Sequence, residues 1–143
     1  MQTPTKSITT RRLGRPDLPR LAALSTRLGA ESSEDWAERL RHRDVVILGA
    51  EIDGALVGYA AGEVRRSFGR PAAAGWVDAF GIDLSQRGQG IGRDLAAAFL
   101  AELRARGADH VFTLVPLHDR TLGPFFRDLG FRDESLVCMG REL

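Results

Sequence analysis

The chain has 143 residues, 43% of them hydrophobic and 27% charged, a balance that suits one globular domain over residues 1–143 with a single core. Twenty basic residues against 19 acidic ones leave a net charge of +1, which offers no global field for nucleic acid or a membrane surface. No apolar run reaches the roughly 18 residues of a bilayer span, the N-terminus lacks a secretory pattern, and the sole cysteine, Cys138, cannot pair within the chain; the expectation is a cytoplasmic protein without a disulfide, redox or metal framework.

In chain order, Ser7 to Leu13 reads as a first strand. Pro16 suits the first turn of a helix whose Leu18, Leu21, Leu24 and Leu28 recur at helical spacing. A second short helix follows, capped by Ser32 or Ser33, with Glu34 and Asp35 in its first turn and Trp36 and Leu40 on its apolar side. Residues 44–64 form two β-rich runs around Asp53-Gly54, a pair suited to a tight type I′ hairpin turn. Gly75 to Leu84 is a further strand. Regular alternation there places Trp76, Asp78, Phe80 and Ile82 on one face, which makes Asp78 a carboxylate among large apolar side chains.

A polar, glycine-rich stretch from Ser85 to Gly90 then opens the strongest helix of the chain, with Leu95, Phe99 and Leu103 on one face, a Glu102/Arg106 pair at i, i+4 and Gly107 as its stop. His110 to Val115 is a strand that most simply pairs in parallel with its predecessor through a right-handed crossover. A last helix ends at Gly130, and Phe131 through Arg141 offers one or two closing strands, of which Leu136 to Met139 can support a homodimer.

The stretch Arg87 to Arg93 (RGQGIGR) joins the end of a strand to the start of that strongest helix. Glycines at 88, 90 and 92 remove side chains where a ligand approaches the main chain, and the first N–H groups of a helix have no partners inside it. The helix dipole and the Arg87 and Arg93 guanidiniums add positive charge, so the segment suits phosphate. It is neither GxxxxGK[ST] nor GxGxxG, since Arg93 and Leu95 stand where the latter needs glycine. The plainer alternative is a glycine-rich turn that simply begins a helix.

With R-G-Q-G-I-G at 87–92, preceded by VDAFGIDLSQ, and F-F-R-D-L-G-F at 125–131, nearly the whole chain resembles the GNAT acetyltransferase superfamily. The resemblance implies an α/β (α+β) fold: a mixed, mostly antiparallel sheet of six to seven strands, a central parallel pair splayed apart, and helices on both faces. It also implies acetyl-coenzyme A as cofactor. Main-chain groups of Phe80, Gly81 and Ile82 would bond its pantetheine arm, and the backbone around Arg87, Gly88, Gln89, Gly90, Ile91, Gly92 and Arg93 would take its pyrophosphate. The implied activity is transfer of an acetyl group to a primary amine of a small molecule or protein, with a main-chain N–H at or beside Ile82 polarising the carbonyl. Neither nucleic acid nor a membrane is an expected partner.

An amine such as that of lysine, with a pKa of about 10.4, must lose a proton before it attacks, and Asp78 is the candidate base because it matches a position often acidic in the family. A structural carboxylate is the competing reading, and Glu51, Glu63 and Glu134 are weaker candidates. Phe126 stands where the family often has a tyrosine that protonates the leaving thiolate, and Asp119 replaces a frequent asparagine; both positions border the thiol end of the cofactor in the family. His118, Cys138 or water are the substitutes for the missing acid. Gly123-Pro124 predicts a kinked or late-starting final helix. An acyl-coenzyme A-binding regulatory module with little or no catalysis is the alternative that Phe126 and Asp119 raise.

Overall fold

The computed structural model describes residues 7–29, 33–66 and 72–143. Its elements are β1 (Ile8–Arg12), α1 (Leu18–Arg27), α2 (Ser33–Leu40), β2 (Val45–Ile52), β3 (Ala55–Arg65), β4 (Ala74–Ile82), α3 (Ile91–Ala105), β5 (Val111–Thr113) and α4 (Leu122–Asp128), with 3-10 turns at Arg15–Asp17 and Leu84–Gln86. The strands form one sheet in the order β1-β2-β3-β4-β5. All neighbours are antiparallel except β4 and β5, which run parallel.

The hairpin turn forms as the Asp-Gly pair requires, with Asp53 at φ 51° and Gly54 at φ 80°. β2 and β3 are buried on both faces, which explains why their sequence is continuously apolar rather than alternating. On one face α3 lays Leu95, Phe99 and Leu103 against Val46, Leu48, Val57 and Val77. On the other, Leu21 and Leu24 of α1 and Trp36 of α2 pack with Ile47, Leu56 and Tyr59. Burial of each such large side chain contributes about 1.5–3 kcal/mol. α3 ends as expected: Glu102 accepts from Arg106 at 3.1 Å, and Gly107 takes φ 99° beyond the last turn.

Four sequence expectations need correction. Pro16 lies in the 3-10 turn, and α1 itself starts at Leu18 with Pro19 in its first turn. Asp17 is buried there, bonded by Arg11, Arg20 (3.0 Å) and the Gly14 N–H (2.9 Å). Chiefly through Arg11, these donors hold its carboxyl far below the usual carboxylate range. The cap Ser32 lies outside the described residues.

The sheet has five strands among the described residues, not six or seven. Residues 131–143 join none of them, so the parallel pair sits at the edge of the sheet instead of its centre. Finally, Trp76, Asp78, Phe80 and Ile82 do not share a face. Ala61 opposes Ala79 while Gly62 opposes Val77, which leaves Asp78 as the extra residue of a β-bulge. Alternation breaks there: Trp76 packs with Phe112 on one side, whereas Val77, Phe80 and Ile82 meet α3 on the other.

Gly62 is what the bulge demands of its neighbour. A Cβ at that position would lie 1.7 Å from the carbonyl oxygen of Trp76. Only glycine lets the two strands approach so closely.

Candidate functional site

The bulge stands where the sheet opens. β5 is in register with β4 only from Gly75 to Val77, and the Thr113 hydroxyl donates to the Val77 carbonyl at 2.9 Å as the last tie between them. Beyond it β4 continues to Ile82, paired to β3 alone. The β5-facing edge at 78–82 therefore carries no ladder partner, and the strand is free on that side to bond an extended chain. A cavity of about 200 Å³ fills the gap, lined by Tyr59, Asp78, Ala79, Thr113, Leu114 and Phe126 among others. Of Phe80, Gly81 and Ile82, Phe80 lines the cavity, and the other two follow it along the end of β4.

That edge leads into the loop before α3. Asp83 folds the entry: its carboxylate accepts from the Ser85 N–H at 3.0 Å and the Ser85 hydroxyl at 2.9 Å, while Arg27 of α1 bonds its other oxygen at 3.0 Å. The Ser85 N–H foremost keeps its carboxyl below the usual range. Asp83 was missed in the sequence, although an aspartate two residues before a serine is a local signal for this turn. The Arg87 side chain folds back toward the Ile82 carbonyl at 3.4 Å, and Gln89 bonds Gln86 at 3.3 Å.

Gly88 and Gly90 adopt φ 82° and 80°, and a Cβ on either would meet open space. Both backbones are thus turned to solvent in a conformation that disfavours side chains. The first bond of α3 is donated by Asp94 to Gly90 at 3.1 Å, so the N–H groups of Ile91, Gly92 and Arg93 are those a helix cannot satisfy internally. Bare donors, a helix N-terminus and the exposed Arg87 and Arg93 make a cradle that fits a diphosphate. Gly92 serves a different purpose. Its Cβ would lie 3.0 Å from the Phe125 ring, so this glycine admits α4 against α3 rather than a ligand.

Asp78 borders the cavity, yet it is not the apolar-buried carboxylate that regular alternation implied. Its side chain is 25% exposed and paired with Arg65 at 2.9 Å. The same guanidinium pairs with Glu63 and lies 5.0 Å above the Trp76 ring. Among the weaker carboxylate candidates, Glu51 is paired with Arg11, Glu63 with Arg65, and Glu134 with His110 at 2.8 Å; none of them lines the cavity.

At the far end of the cleft Phe126 is buried among aromatic rings, 5.9 Å from Phe80, 5.3 Å from Phe125 and 5.0 Å from Phe131 between centroids. Asp119 spends one oxygen on the start of α4, accepting from Leu122 at 2.6 Å and Thr121 at 2.8 Å, and the Leu122 N–H in particular lowers its proton affinity. Its carboxylate caps the start of α4, whose first residue, Leu122, lines the cavity. α4 starts late, at Leu122, and Pro124 falls in its first turn, where a missing N–H is harmless; no kink is needed. His118 and Cys138 are exposed and line no part of the cavity. The one phenol of the chain, Tyr59, does line it, from β3, a position that cavity geometry reveals and sequence spacing does not.

Comparisons with known proteins agree on one family. Residues 15–131 match the model of the Acetyltransferase (GNAT) family. Over 93 residues, 64% of this chain, the sequence is 37% identical to a mycothiol acetyltransferase of Thermobispora bispora, and the match covers 32% of that protein, so the chain spans about a third of the length of this curated relative. Among solved structures, an aminoglycoside N-acetyltransferase in complex with CoA superposes with a TM-score of 0.87 at 17% identity, covering 99% of both chains. A ribosomal-protein-alanine N-acetyltransferase from Brucella melitensis biovar Abortus 2308 gives 0.82 at 19% identity, over 95% of this chain and 100% of that one.

Proposed function

Because the chain belongs to the GNAT acetyltransferase family, we propose that it uses acetyl-coenzyme A to acetylate a primary amine of a small molecule or protein. The observation that carries this reading is a pair of unpaired main-chain stretches, the free edge of β4 at 78–82 and the bare N–H groups at the start of α3, joined by the bonded turn from Asp83 to Arg87. Phe80, Gly81 and Ile82 would hold the pantetheine arm, and the backbone from Gly88 to Arg93 the pyrophosphate. When bound, the cofactor supplies an activated thioester.

The chain's own groups do the rest. An N–H at or beside Ile82 stabilises negative charge on the carbonyl oxygen, a main-chain role that needs no side chain. Asp78, oriented by Arg65 on the cavity wall, attracts the incoming ammonium and takes its proton directly or through one water. Phe126 has no proton to give. A thiol with a pKa of about 8.5 leaves as a tolerable thiolate near neutral pH, so the missing acid costs rate without forbidding turnover. Tyr59 is the one side-chain hydroxyl of phenolic type on the cavity wall and replaces His118 and Cys138 as the candidate donor.

The test is free-thiol release from acetyl-coenzyme A across amines that include an aminoglycoside and a peptide with N-terminal alanine, paired with calorimetry of coenzyme A. Binding with turnover on at least one amine is expected; failure to bind coenzyme A at all would remove the reading. The phenyl rings of Phe80, Phe125 and Phe131 around Phe126, none with a proton to give, favour a second reading, an acyl-coenzyme A-binding regulatory module. Tight binding with silence on every amine would select it.

A further inference from the structure

Two carboxylates share one guanidinium where β3 meets the bulge. Glu63 and Arg65 lie two residues apart on β3 and so point to one side of it; the Arg65 Nη1 group pairs with Glu63, while Nη2 donates to Asp78 Oδ1 at 2.9 Å. Trp76, the register partner of Glu63, lies beneath, with the guanidinium carbon 5.0 Å from its ring centroid. Among the described residues Arg65 is the ion-pair partner of both carboxylates, so the trio is one cation short of neutrality. Asp78 lines the cavity and Glu63 does not. The uncompensated charge is therefore offered at the cavity wall, with the second carboxylate standing outside it.

The three side chains are only partly buried, Arg65 being 39% exposed, Glu63 28% and Asp78 25%. Ion pairs at that exposure are weak, and one of them yields to a competing cation. Arg65 need not leave its place to give way. Pivoting on its bond to Glu63, the planar guanidinium keeps one carboxylate and the face of Trp76, and surrenders only the Nη2 bond to Asp78. An ammonium then takes the vacated oxygen, and each cation has a carboxylate of its own. A hydroxyl acceptor brings no charge and cannot balance the exchange.

We propose that Glu63 and Arg65 are positioning residues that admit the acceptor as a cation: the docking ammonium replaces Arg65 on Asp78, and Arg65 retires onto Glu63. This exchange deepens the amine-acetylation reading, on which it rests. It gives the cleft a preference for amines over alcohols that is set in part by Glu63, a residue outside the cavity.

The experiment titrates the full chain, free of cofactor, with n-butylammonium chloride at constant ionic strength and, as the neutral counterpart, with n-butanol. Binding is read from the backbone amide resonances of Asp78 and Thr113, and the exchange from the Nε–H resonance of Arg65, identified by its absence in Arg65→Gln. We expect n-butylammonium to shift the Arg65 resonance together with the amides, and n-butanol to leave it in place. Glu63→Gln denies Arg65 its second carboxylate, so the n-butylammonium dissociation constant should rise about 10-fold or more, whereas Arg65→Gln, which frees Asp78 of its resting partner, should lower it about 3-fold. In Glu63→Gln/Arg65→Gln the effect of losing Glu63 should shrink to about 2- to 3-fold, the through-solvent influence of a bare charge. Simple attraction by Glu63 would instead weaken binding equally with or without Arg65. Four outcomes overturn the proposal: an Arg65 resonance unmoved at n-butylammonium saturation, an equal response to n-butanol, a Glu63 effect of the same size in both backgrounds, or no n-butylammonium binding up to about 100 mM. Coenzyme A calorimetry on the same samples separates this exchange from acetyl transfer. A chain that exchanges Arg65 but binds no coenzyme A keeps the cation site and loses acetyl transfer; one that binds coenzyme A with an unresponsive Arg65 loses the exchange alone.

Discussion

The two ends of the cleft are built by different means. At the cradle, Gly88 and Gly90 hold left-handed backbone over open space, and the donors are peptide N–H groups at a helix start. At the bulge, the groups are side chains, Asp78, Thr113, Tyr59 and Phe126, and the placing of Asp78 among them is decided by one inserted residue in β4. Main-chain recognition is written directly as glycine placement. Side-chain recognition depends on strand register, which a single residue shifts.

The sharpest way to break this contrast is at the bulge. Gly62→Ala forces a methyl group to within 1.7 Å of the Trp76 carbonyl oxygen, so β3 and β4 must part. A loss exceeding about 4 kcal/mol is expected, beyond what most substitutions cause, and denaturant unfolding would measure it. If Gly62→Ala unfolds like the wild type, the bulge is not the rigid element we describe.

Asp78→Asn comes next. Under the proposed mechanism kcat falls by about 10²–10³, with coenzyme A affinity unchanged, since only the proton acceptor is altered. Steady-state kinetics with a fixed amine checks it; an unaltered kcat would return Asp78 to a purely structural partner of Arg65.

At the cradle, the contrast becomes a paired comparison. Gly90→Val places a branched side chain at φ 80°, a conformation costing about 1–3 kcal/mol, so coenzyme A should bind roughly 10- to 100-fold more weakly by calorimetry. Gly92→Ala, whose added methyl faces Phe125 instead of the ligand, should shift the melting midpoint while leaving that affinity within about 3-fold, a change of under 1 kcal/mol. Equal losses of affinity in the two variants would erase the distinction between ligand-facing and packing glycines.

Asp17 provides a control outside both ends. Arg11 foremost, then the Gly14 N–H and Arg20, stabilise its ionised form in the folded chain more than in the unfolded one. Its contribution is therefore complete above about pH 4, the unfolded carboxylate value, and is lost progressively as pH falls below it. Asp17→Asn should flatten the acid limb of the stability curve and lower stability at neutral pH by about 1.5–3 kcal/mol, with coenzyme A binding untouched.

Where local chemistry decides the structure, the sequence was readable. Asp53-Gly54 fixes its turn, Gly107 its helix end, and the Arg87–Arg93 segment its helix start, each through residues adjacent in the chain. The family likeness rests on the same segment together with F-F-R-D-L-G-F at 125–131. Regular alternation failed in β4 because the insertion at Asp78 is visible only once Gly62 of another strand is laid beside it. The closing strands failed for a related reason: Leu136 to Met139 have strand composition, but pairing requires an edge, and the contacts of Glu134 and Asp133 that direct the tail join residues far apart or oppositely charged across a turn. Tyr59 was silent because nothing near it in the chain points to a cleft formed by β4 and β5.

Unpaired strand edges are ordinarily sites at which sheets of separate molecules stick together. The open stretch of β4 escapes that fate by position. It is recessed behind β5 and Thr113, in a gap of about 200 Å³. Such a slot admits one slender polymer-like arm and turns away a neighbouring sheet, so stickiness is confined to a guest of the correct thickness. Docking there also severs no ladder of the resting fold, and the protein can load and unload without first loosening itself.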